Sequence, residues 1–274
     1  MPKYAFTINE NENYTRLCKI NGGKYNNKYI SYYEITNDKD DLELEQNQFK
    51  DFTRLTLKEG KLEPTPWLKK DKHGKIQRQI MLVSGAQGSG KSTYIEMYCK
   101  NYNSTFKTND VYLFSKIQDD ESLKDIKNTH VVPIDEEIKE IELTELENSI
   151  CIFDDVEKVR EKKIRDYVYG LMDDIYQNGR HNNICMIASS HVACGGNLTK
   201  TQILESQFVT YFMSSGTNYE RLIMTYLGFT RKEYDALKRI NSRWITVYRQ
   251  APVVIFFETG ILLKSDLLDF VGEM

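Results

Sequence analysis

The stretch "VSGAQGSGKST", Val83–Thr93, decides the fold, because it places glycines and a lysine between an apolar run and a helical pattern. Its spacing fits the phosphate-binding loop G-x-x-x-x-G-K-[ST], with Gly85, Gly90, Lys91 and Ser92 at the fixed positions. Glycines let the backbone turn sharply and bring N–H groups against phosphate oxygens, and the following helix adds its positive end. The alternative is an accidental match in a strand–helix connection, but the strand-like "QIMLVS" before the loop favours nucleotide binding.

The loop predicts a site for ATP and Mg²⁺. Lys91 can reach the β- and γ-phosphates, and the Ser92 hydroxyl can ligate the metal ion. The residues expected around the phosphates are Gly85, Ala86, Gln87, Gly88, Ser89, Gly90, Lys91, Ser92 and Thr93.

Length and composition limit the setting. The 274 residues can form one large α/β domain with additions or two small domains, and the net charge of −3 does not by itself indicate a nucleic-acid partner. The polar start "MPKYAFTINENENY" is unlike a signal peptide, and no apolar run approaches the roughly 20 residues of a membrane helix. The five cysteines form no C-x-x-C pair. We therefore expect no membrane segment and reduced thiols in a cytosol-like compartment.

The chain divides into two parts by pattern. Residues 1–76 read as short strands and turns and predict a small β-rich addition. Residues 77–274 alternate apolar strands with helical patterns, the longest being an amphipathic helix from Ile164 to Tyr176, and end in a helical and strand extension. The prediction is a RecA-like α/β P-loop NTPase with a mostly parallel sheet, whose ligand lies at the carboxyl ends of the strands.

Two adjacent acids follow the apolar run "SICIF". Asp154 is placed to hold Mg²⁺ as a Walker B carboxylate, and Asp155 to polarise the water that attacks the γ-phosphate. The alternative is a pair of acids at the start of the next helix, stabilised by its dipole. Glu157 is a weaker candidate for the base.

This pair places the chain among ATPases with an additional catalytic acid. A GTPase would carry Asn-Lys-x-Asp, which the sequence lacks, and its Asp-x-x-Gly matches do not follow the loop as required. A small-molecule kinase would have an arginine-rich lid. "VREKKIR" has that composition, but it is explained more simply as the solvated face of the amphipathic helix.

The blocks "GAQGSGKS", "YLFSK", "ICIFDDVE" and "GRHNNICMIASSH" together resemble the FtsK/HerA superfamily of DNA-pumping ATPases. The resemblance is greatest to the packaging ATPases of nucleocytoplasmic large DNA viruses, the poxvirus type, and covers roughly residues 77–260. It implies that Ser190 or His191 is the polar sensor after a core strand. His191 stands where many relatives have glutamine, so both candidates stay open.

The resemblance also draws attention to Arg180, which precedes that strand. A guanidinium at a subunit edge can stabilise transition-state charge in a neighbouring subunit. Such a residue is called an arginine finger. An ion pair with Asp173 or Asp174 is the alternative role for Arg180, and Arg243 and Arg249 are weaker candidates for the arginine finger.

The function implied by the resemblance is an ATP-hydrolysing translocase, a homo-oligomeric ring that packages double-stranded DNA into a capsid in the host cytoplasm. A capsid or portal component would be a further partner. Two stretches, residues 61–78 and 230–249, each carry six Lys/Arg against two acids and could contact DNA phosphates or be solvated faces. A helicase, a remodelling ATPase, or a nucleotide-gated assembly protein with little hydrolysis are the alternatives.

Overall fold

The computed structural model describes residues 3–8, 15–35, 53–69, 74, 76–116, 126–192, 194, 197–213 and 218–273. Its strands are β1 Lys3–Thr7, β2 Thr15–Asn21, β3 Tyr29–Ile35, β4 Arg54–Thr56, β5 Lys61–Pro64, β6 Ile80–Ser84, β7 Asp110–Ser115, β8 Thr129–Pro133, β9 Ser149–Phe153, β10 Cys185–Ser190, β11 Phe208–Tyr211, β12 Ile245–Tyr248, β13 Val254–Phe257 and β14 Gly260–Leu263. The α-helices are α1 Lys91–Thr105, α2 Lys162–Asn178, α3 Asn197–Glu205, α4 Arg231–Leu237 and α5 Leu267–Gly272. Short 3-10 turns lie at Glu136–Glu140, Leu143–Leu146, Val156–Lys158 and Lys264–Asp266, and a π-helical turn at Leu222–Tyr226.

The larger sheet joins ten strands in the order β4-β14-β13-β12-β11-β6-β10-β9-β7-β8. The six strands from β11 to β8 are parallel to one another. Strand β6, which leads into the phosphate loop, lies between β11 and β10, and β10 separates it from β9. Because parallel strands end at the same edge, the loops after β6, β9 and β10 meet there. The predicted mixed α/β fold with a large, mostly parallel sheet is confirmed.

Successive side chains of β6 enter two different hydrophobic cores, as the two-residue period of a strand requires. Ile80 and Leu82 pack in the core that α2 covers, and Met81 and Val83 pack in the core that α1 covers. All five residues of β6 are buried, which explains why this strand reads as a continuous apolar run. Helix α2 buries one face only, so its predicted amphipathic pattern is confirmed.

The N-terminal strands form a separate antiparallel sheet in the order β1-β3-β2-β5. Leu17 and Ile20 of this sheet belong to the same core as Tyr98 of α1. Strand β4 does not join it, but pairs with β14 at the end of the larger sheet. The division of the chain at residues 76 and 77 into two domains stays a prediction.

The sequence predicts strands near the C-terminus but does not indicate whether they extend the parallel sheet or pair antiparallel at its edge. Strands β12, β13 and β14 both extend the larger sheet and pair antiparallel within it. The sequence analysis did not identify β4, β5, β11, β14 or α3, since each is short or lies in a mixed polar stretch. Strand β11 matters most among them, because it is the second neighbour of β6. Within the described ranges, no helix has both the length and the apolarity needed to cross a bilayer.

Candidate active site

The phosphate loop connects β6 to α1 and needs its glycines for two physical reasons. Gly88 and Gly90 have φ angles of 74° and 103°, in the left-handed region that favours glycine. At Gly85, a Cβ atom would lie 2.9 Å from a ring carbon of Phe212 and 2.5 Å from the Ser89 hydroxyl. Helix α1 begins directly after Gly90 with no side-chain cap and no acidic residue in its first turn. Its first N–H groups are therefore available to an anion.

Lys91 lies folded back over this loop. Its ammonium donates to the carbonyl oxygens of Gly85 at 2.8 Å and Ala86 at 3.5 Å, and it lies 3.4 Å from Nδ1 of His191. Burial lowers the pKa of Lys91, while the nearby Asp155 and Asp154 carboxylates act in the opposite direction. The lysine thus lies between the loop and the acids that follow β9.

The two acids take up different positions after β9. The Asp154 backbone N–H donates to the Phe114 carbonyl at 3.1 Å, which continues the pairing of β9 with β7. Asp155 adopts the left-handed conformation, with φ 49° and ψ 38°, and opens the turn Val156–Lys158. A non-glycine residue in this conformation costs about 1 kcal/mol or more. The turn therefore holds the Asp155 carboxylate at the strand edge at some cost in stability.

Asp155 has one engaged oxygen and one that has no partner. Oδ2 lies 2.6 Å from Nε2 of His191 and 2.7 Å from the Lys158 ammonium. Oδ1 is buried and accepts no hydrogen bond from any described residue. A buried carboxylate oxygen without a donor is costly, so this atom is suited to accept a hydrogen bond from a bound water.

His191 connects the phosphate lysine to the acid. If Lys91 donates to Nδ1, the proton of the neutral ring is on Nε2, which then donates to Asp155; this tautomer is inferred from the contacts. The Lys158 ammonium also lies 2.6 Å from Nε2, so the imidazole and the ammonium crowd the one oxygen Oδ2. The strand order explains the meeting, because β10 carries His191 between β6 and β9.

The other sensor candidate, Ser190, faces a different group. Its hydroxyl donates to Oε1 of Glu157 at 3.1 Å, and the same oxygen accepts the backbone N–H of His191 at 2.7 Å. Glu157 thus holds the end of β10 in place and is not directed at Asp155 or Lys91 by any described contact. The contacts favour His191 over Ser190 as the sensor, and the role itself stays a prediction.

The comparisons with known proteins show the family of the chain. Residues 77–215 match the family described as AAA domain. The uncharacterized protein V3 of Sputnik virophage is 33% identical over 257 residues, which cover 92% of this chain and 97% of that protein. The chain belongs to the AAA-domain family.

Among solved structures, the chain is similar to B204, the genome packaging NTPase of Sulfolobus turreted icosahedral virus 2, in complex with AMPPCP. The TM-score is 0.47 and the identity 14%, covering 66% of this chain and 97% of that one. The DNA-packaging ATPase B204 of Sulfolobus turreted icosahedral virus gives a TM-score of 0.47 and 17% identity, covering 65% and 96%.

The AAA-domain match includes the phosphate loop, both acids and the predicted sensor in one continuous stretch. Family membership and loop geometry together make this a P-loop NTPase domain with a nucleotide-binding site. The finer resemblance to the FtsK/HerA superfamily stays a prediction.

Arg180 lies at the opposite edge of the AAA domain's sheet from the phosphate loop. It precedes β10, whose six residues span about 20 Å and end at the nucleotide edge. Its side chain is exposed and forms no ion pair with Asp173 or Asp174, which are both described. Burial lowers the pKa of Arg78, and the neighbouring charge of Arg180 adds to that effect. Arg180 therefore lies far from the phosphate loop of the same chain, and its role as an arginine finger stays a prediction.

The two weaker candidates for the arginine finger, Arg243 and Arg249, both bind other residues of the same chain. The Arg243 guanidinium pairs with the buried Glu258 carboxylate at 2.8 Å. Arg249 donates to the carbonyl oxygens of Ile203, Leu204 and Ser206, where α3 ends. Both arginines therefore have structural partners.

The residues predicted for Mg²⁺ have suitable chemistry. The Ser92 hydroxyl and the Asp154 carboxylate are hard oxygen donors, the type that Mg²⁺ prefers. Ser92 is the second residue of α1, directly after the phosphate lysine, and the Asp154 carboxylate raises the pKa of Lys91 against the effect of burial. In chemistry, this donor set fits the ion.

Sequence reasoning did not identify Lys158 as a member of this site. The lysine lies three residues after Asp155, and the tight turn Val156–Lys158 brings its ammonium back to the carboxylate. An acid and a lysine at this spacing are common on any turn, so the pattern alone carried no signal. Tyr219, which donates to the Ser84 carbonyl beneath the loop, was also not predicted.

Proposed function

We propose that this AAA-domain protein is an ATP-hydrolysing motor that translocates viral double-stranded DNA into a capsid. The observation that carries the hydrolysis part is the contact chain from Lys91 through His191 to Asp155. It joins a phosphate-binding cation to a carboxylate with a free buried oxygen. A site that only bound nucleotide would not need that second acid.

Each residue has a separate task in the proposed reaction. Lys91 and the N–H groups at the start of α1 hold the phosphates of ATP. Asp155 Oδ1 accepts the proton of a water as the water oxygen bonds to the γ-phosphorus and the bond to the β–γ bridging oxygen breaks. His191 holds the Asp155 carboxylate in position through Oδ2. When bound, Mg²⁺, held by Ser92 and Asp154, neutralises developing charge on the phosphates.

The DNA part of the proposal is supported by the sequence. The motif blocks resemble DNA-pumping ATPases, and the relative with 33% identity belongs to a virophage. A homo-oligomeric ring acting at the viral assembly site in the host cytoplasm, with a capsid or portal component as partner, follows from that resemblance. Arg180 is exposed at the far edge of the sheet, so a role as arginine finger would require a neighbouring subunit, as in the proposed ring.

One experiment tests the function directly. The ATPase rate is measured with and without long duplex DNA, and native mass spectrometry reports the size of the assembly. We expect a ring whose turnover rises with duplex DNA and which does not separate the strands of a labelled duplex. Strand separation would indicate a helicase, and no turnover above that of Asp155→Asn would indicate a nucleotide-gated assembly protein.

A further inference from the structure

A cationic cavity lies at the far end of α1 from the phosphate loop. It has a volume of about 570 Å³. Among the described residues, its lining consists of three lysines, two asparagines and a serine and includes no acid: Lys100, Asn103, Ser104, Lys107, Lys127 and Asn128. These are side chains that proteins use to contact nucleic-acid phosphates.

The charges of two of these lysines are not neutralised. Lys100 pairs with Glu96 at 2.6 Å, and the nearby Asp110 carboxylate contacts His130 at 3.0 Å. Lys107 and Lys127 are exposed and form no ion pair with a described residue. Within the described part of the chain, the cavity therefore presents two positive charges without an ion-pair partner to solvent.

The backbone that carries these lysines is fixed by two asparagine side chains. Asn103 donates to the carbonyl oxygen of Lys127, and Asn128 donates to the carbonyl oxygen of Lys107 at 3.3 Å. The remaining Asn103 oxygen, Oδ1, is buried and has no partner among the described residues. The backbone positions of the two lysines are thus held at a fixed spacing, which reduces the backbone entropy lost when a ligand binds.

Of the two stretches that composition suggests for DNA contact, residues 61–78 include three lysines that lie outside the described residues, Lys70, Lys72 and Lys75. The other stretch, residues 230–249, is less suitable than the cavity. Tyr234, Trp244 and Tyr248, the aromatic residues interleaved with its charges, are buried in the cores. Arg231 and Lys238 pair with Asp235, and Arg243 pairs with Glu258. Lys232 and Arg239 are the exposed cations of that stretch without a recorded pair.

We propose that the cavity at the end of α1 binds the phosphate backbone of duplex DNA through Lys107 and Lys127. This rests on the proposed function. It places DNA and nucleotide at opposite ends of one helix, about 22 Å apart for its 15 residues. The rival explanation is that these lysines stabilise the carbonyl end of α1, which would affect stability and not DNA binding.

The test compares the salt dependence of duplex binding for wild type and three double variants with equal charge changes. These are Lys107→Gln with Lys127→Gln in the cavity, Lys232→Gln with Arg239→Gln on α4 and the turn after it, and Lys24→Gln with Lys58→Gln in the connections after β2 and β4. Each lost phosphate contact makes the slope of log K against log salt shallower by about 0.9, so the cavity variant should lose about 1.8. Both other variants should keep the wild-type slope.

The outcomes separate this inference from the proposed function. Wild type that does not bind duplex DNA overturns both. If wild type binds duplex DNA, two results overturn the inference alone. One is a salt slope in the cavity variant that equals the wild-type slope, and the other is a larger reduction of the slope in the α4 variant than in the cavity variant. A lowered melting temperature with an unchanged slope supports the rival explanation and overturns the inference. Inorganic phosphate at matched ionic strength should not displace the duplex; full displacement would show a free-phosphate site instead.

Discussion

Asp155 and His191 lie 2.6 Å apart although 36 positions separate them in the chain. The contact exists because β10 lies between β6 and β9, which places the end of one strand beside the end of the next. His191 therefore contacts Lys91 on one side and Asp155 on the other. If a change in the bound phosphate moves Lys91, the imidazole ring of His191 can transmit that movement to Asp155.

Asp155→Asn should still bind ATP and turn it over slowly, because an amide cannot accept the proton of the attacking water. A general base contributes about 10²–10⁴-fold, so we expect a loss within that range. Steady-state ATPase assays and nucleotide binding by fluorescence measure the two effects separately. Glu157→Gln is the matched control, since Glu157 contacts the strand end. A larger loss in the control than in Asp155→Asn would move the base to Glu157.

His191→Ala should reduce turnover about ten- to hundredfold, because it removes a hydrogen bond to a charged group worth about 1.5–3 kcal/mol. His191→Gln should recover much of that loss, since its amide can both donate to Asp155 and accept from Lys91. Ser190→Ala is the control and should have a small effect. If Ser190→Ala is the more damaging change, the serine is the sensor.

Lys158→Met should increase turnover without DNA. The ammonium occupies Oδ2 of Asp155 and crowds His191, and it must move before that oxygen can take another partner. The Lys158 side chain is half exposed, so its ion pair with Asp155 has the strength of a surface pair, roughly 0.2–1 kcal/mol. Removing the pair should therefore raise the turnover rate at most about fivefold. Lys162→Met, at the start of α2, controls for the lost charge. A tenfold decrease would mean that Lys158 assists the reaction.

The lowered pKa of Glu258 predicts how the free energy of unfolding depends on pH. Burial raises its pKa, but hydrogen bonds from the Arg243 backbone and side chain and from Lys61 outweigh burial and lower it below 4.5. A lowered pKa means stability that is present above 4.5 and is lost as pH falls through the folded value. Glu258→Gln should therefore lower the melting temperature at neutral pH and flatten the decline in acid, while the exposed Glu59→Gln should do neither. An equally steep acid decline in both variants would contradict this role.

Features formed by residues close together in the chain could be predicted from the sequence, and features formed by distant residues could not. The phosphate loop and the acids after β9 are local patterns, so their place at the strand ends followed from strand–helix alternation. The contact of Lys158 with Asp155, the burial of Trp244 and the partners of Arg243 depend on neighbours distant in the chain or on a turn angle. The cationic cavity joins Lys107 to Lys127 across two connections, and no single stretch shows it.

Arg180 and Lys91 allow a test of the ring through mixed assemblies. Arg180→Ala should be inactive because it lacks the finger, and Lys91→Ala should be inactive because its phosphate loop has lost its main cation. In a mixed ring, an Arg180→Ala subunit keeps an intact pocket and can use the arginine of a Lys91→Ala neighbour. Mixing should therefore restore part of the wild-type ATPase rate.

The exposed side chain of Arg180 and the lack of an ion pair with Asp173 or Asp174 make an effect on folding small, which melting temperatures can verify. Arg160→Ala, another exposed arginine, is the matched control and should retain activity alone. A trans-acting arginine typically contributes 10³–10⁵-fold, so even a few restored sites stand well above the background of either variant. If native mass spectrometry shows mixed rings and the mixture stays inactive, Arg180 does not act on the neighbouring subunit.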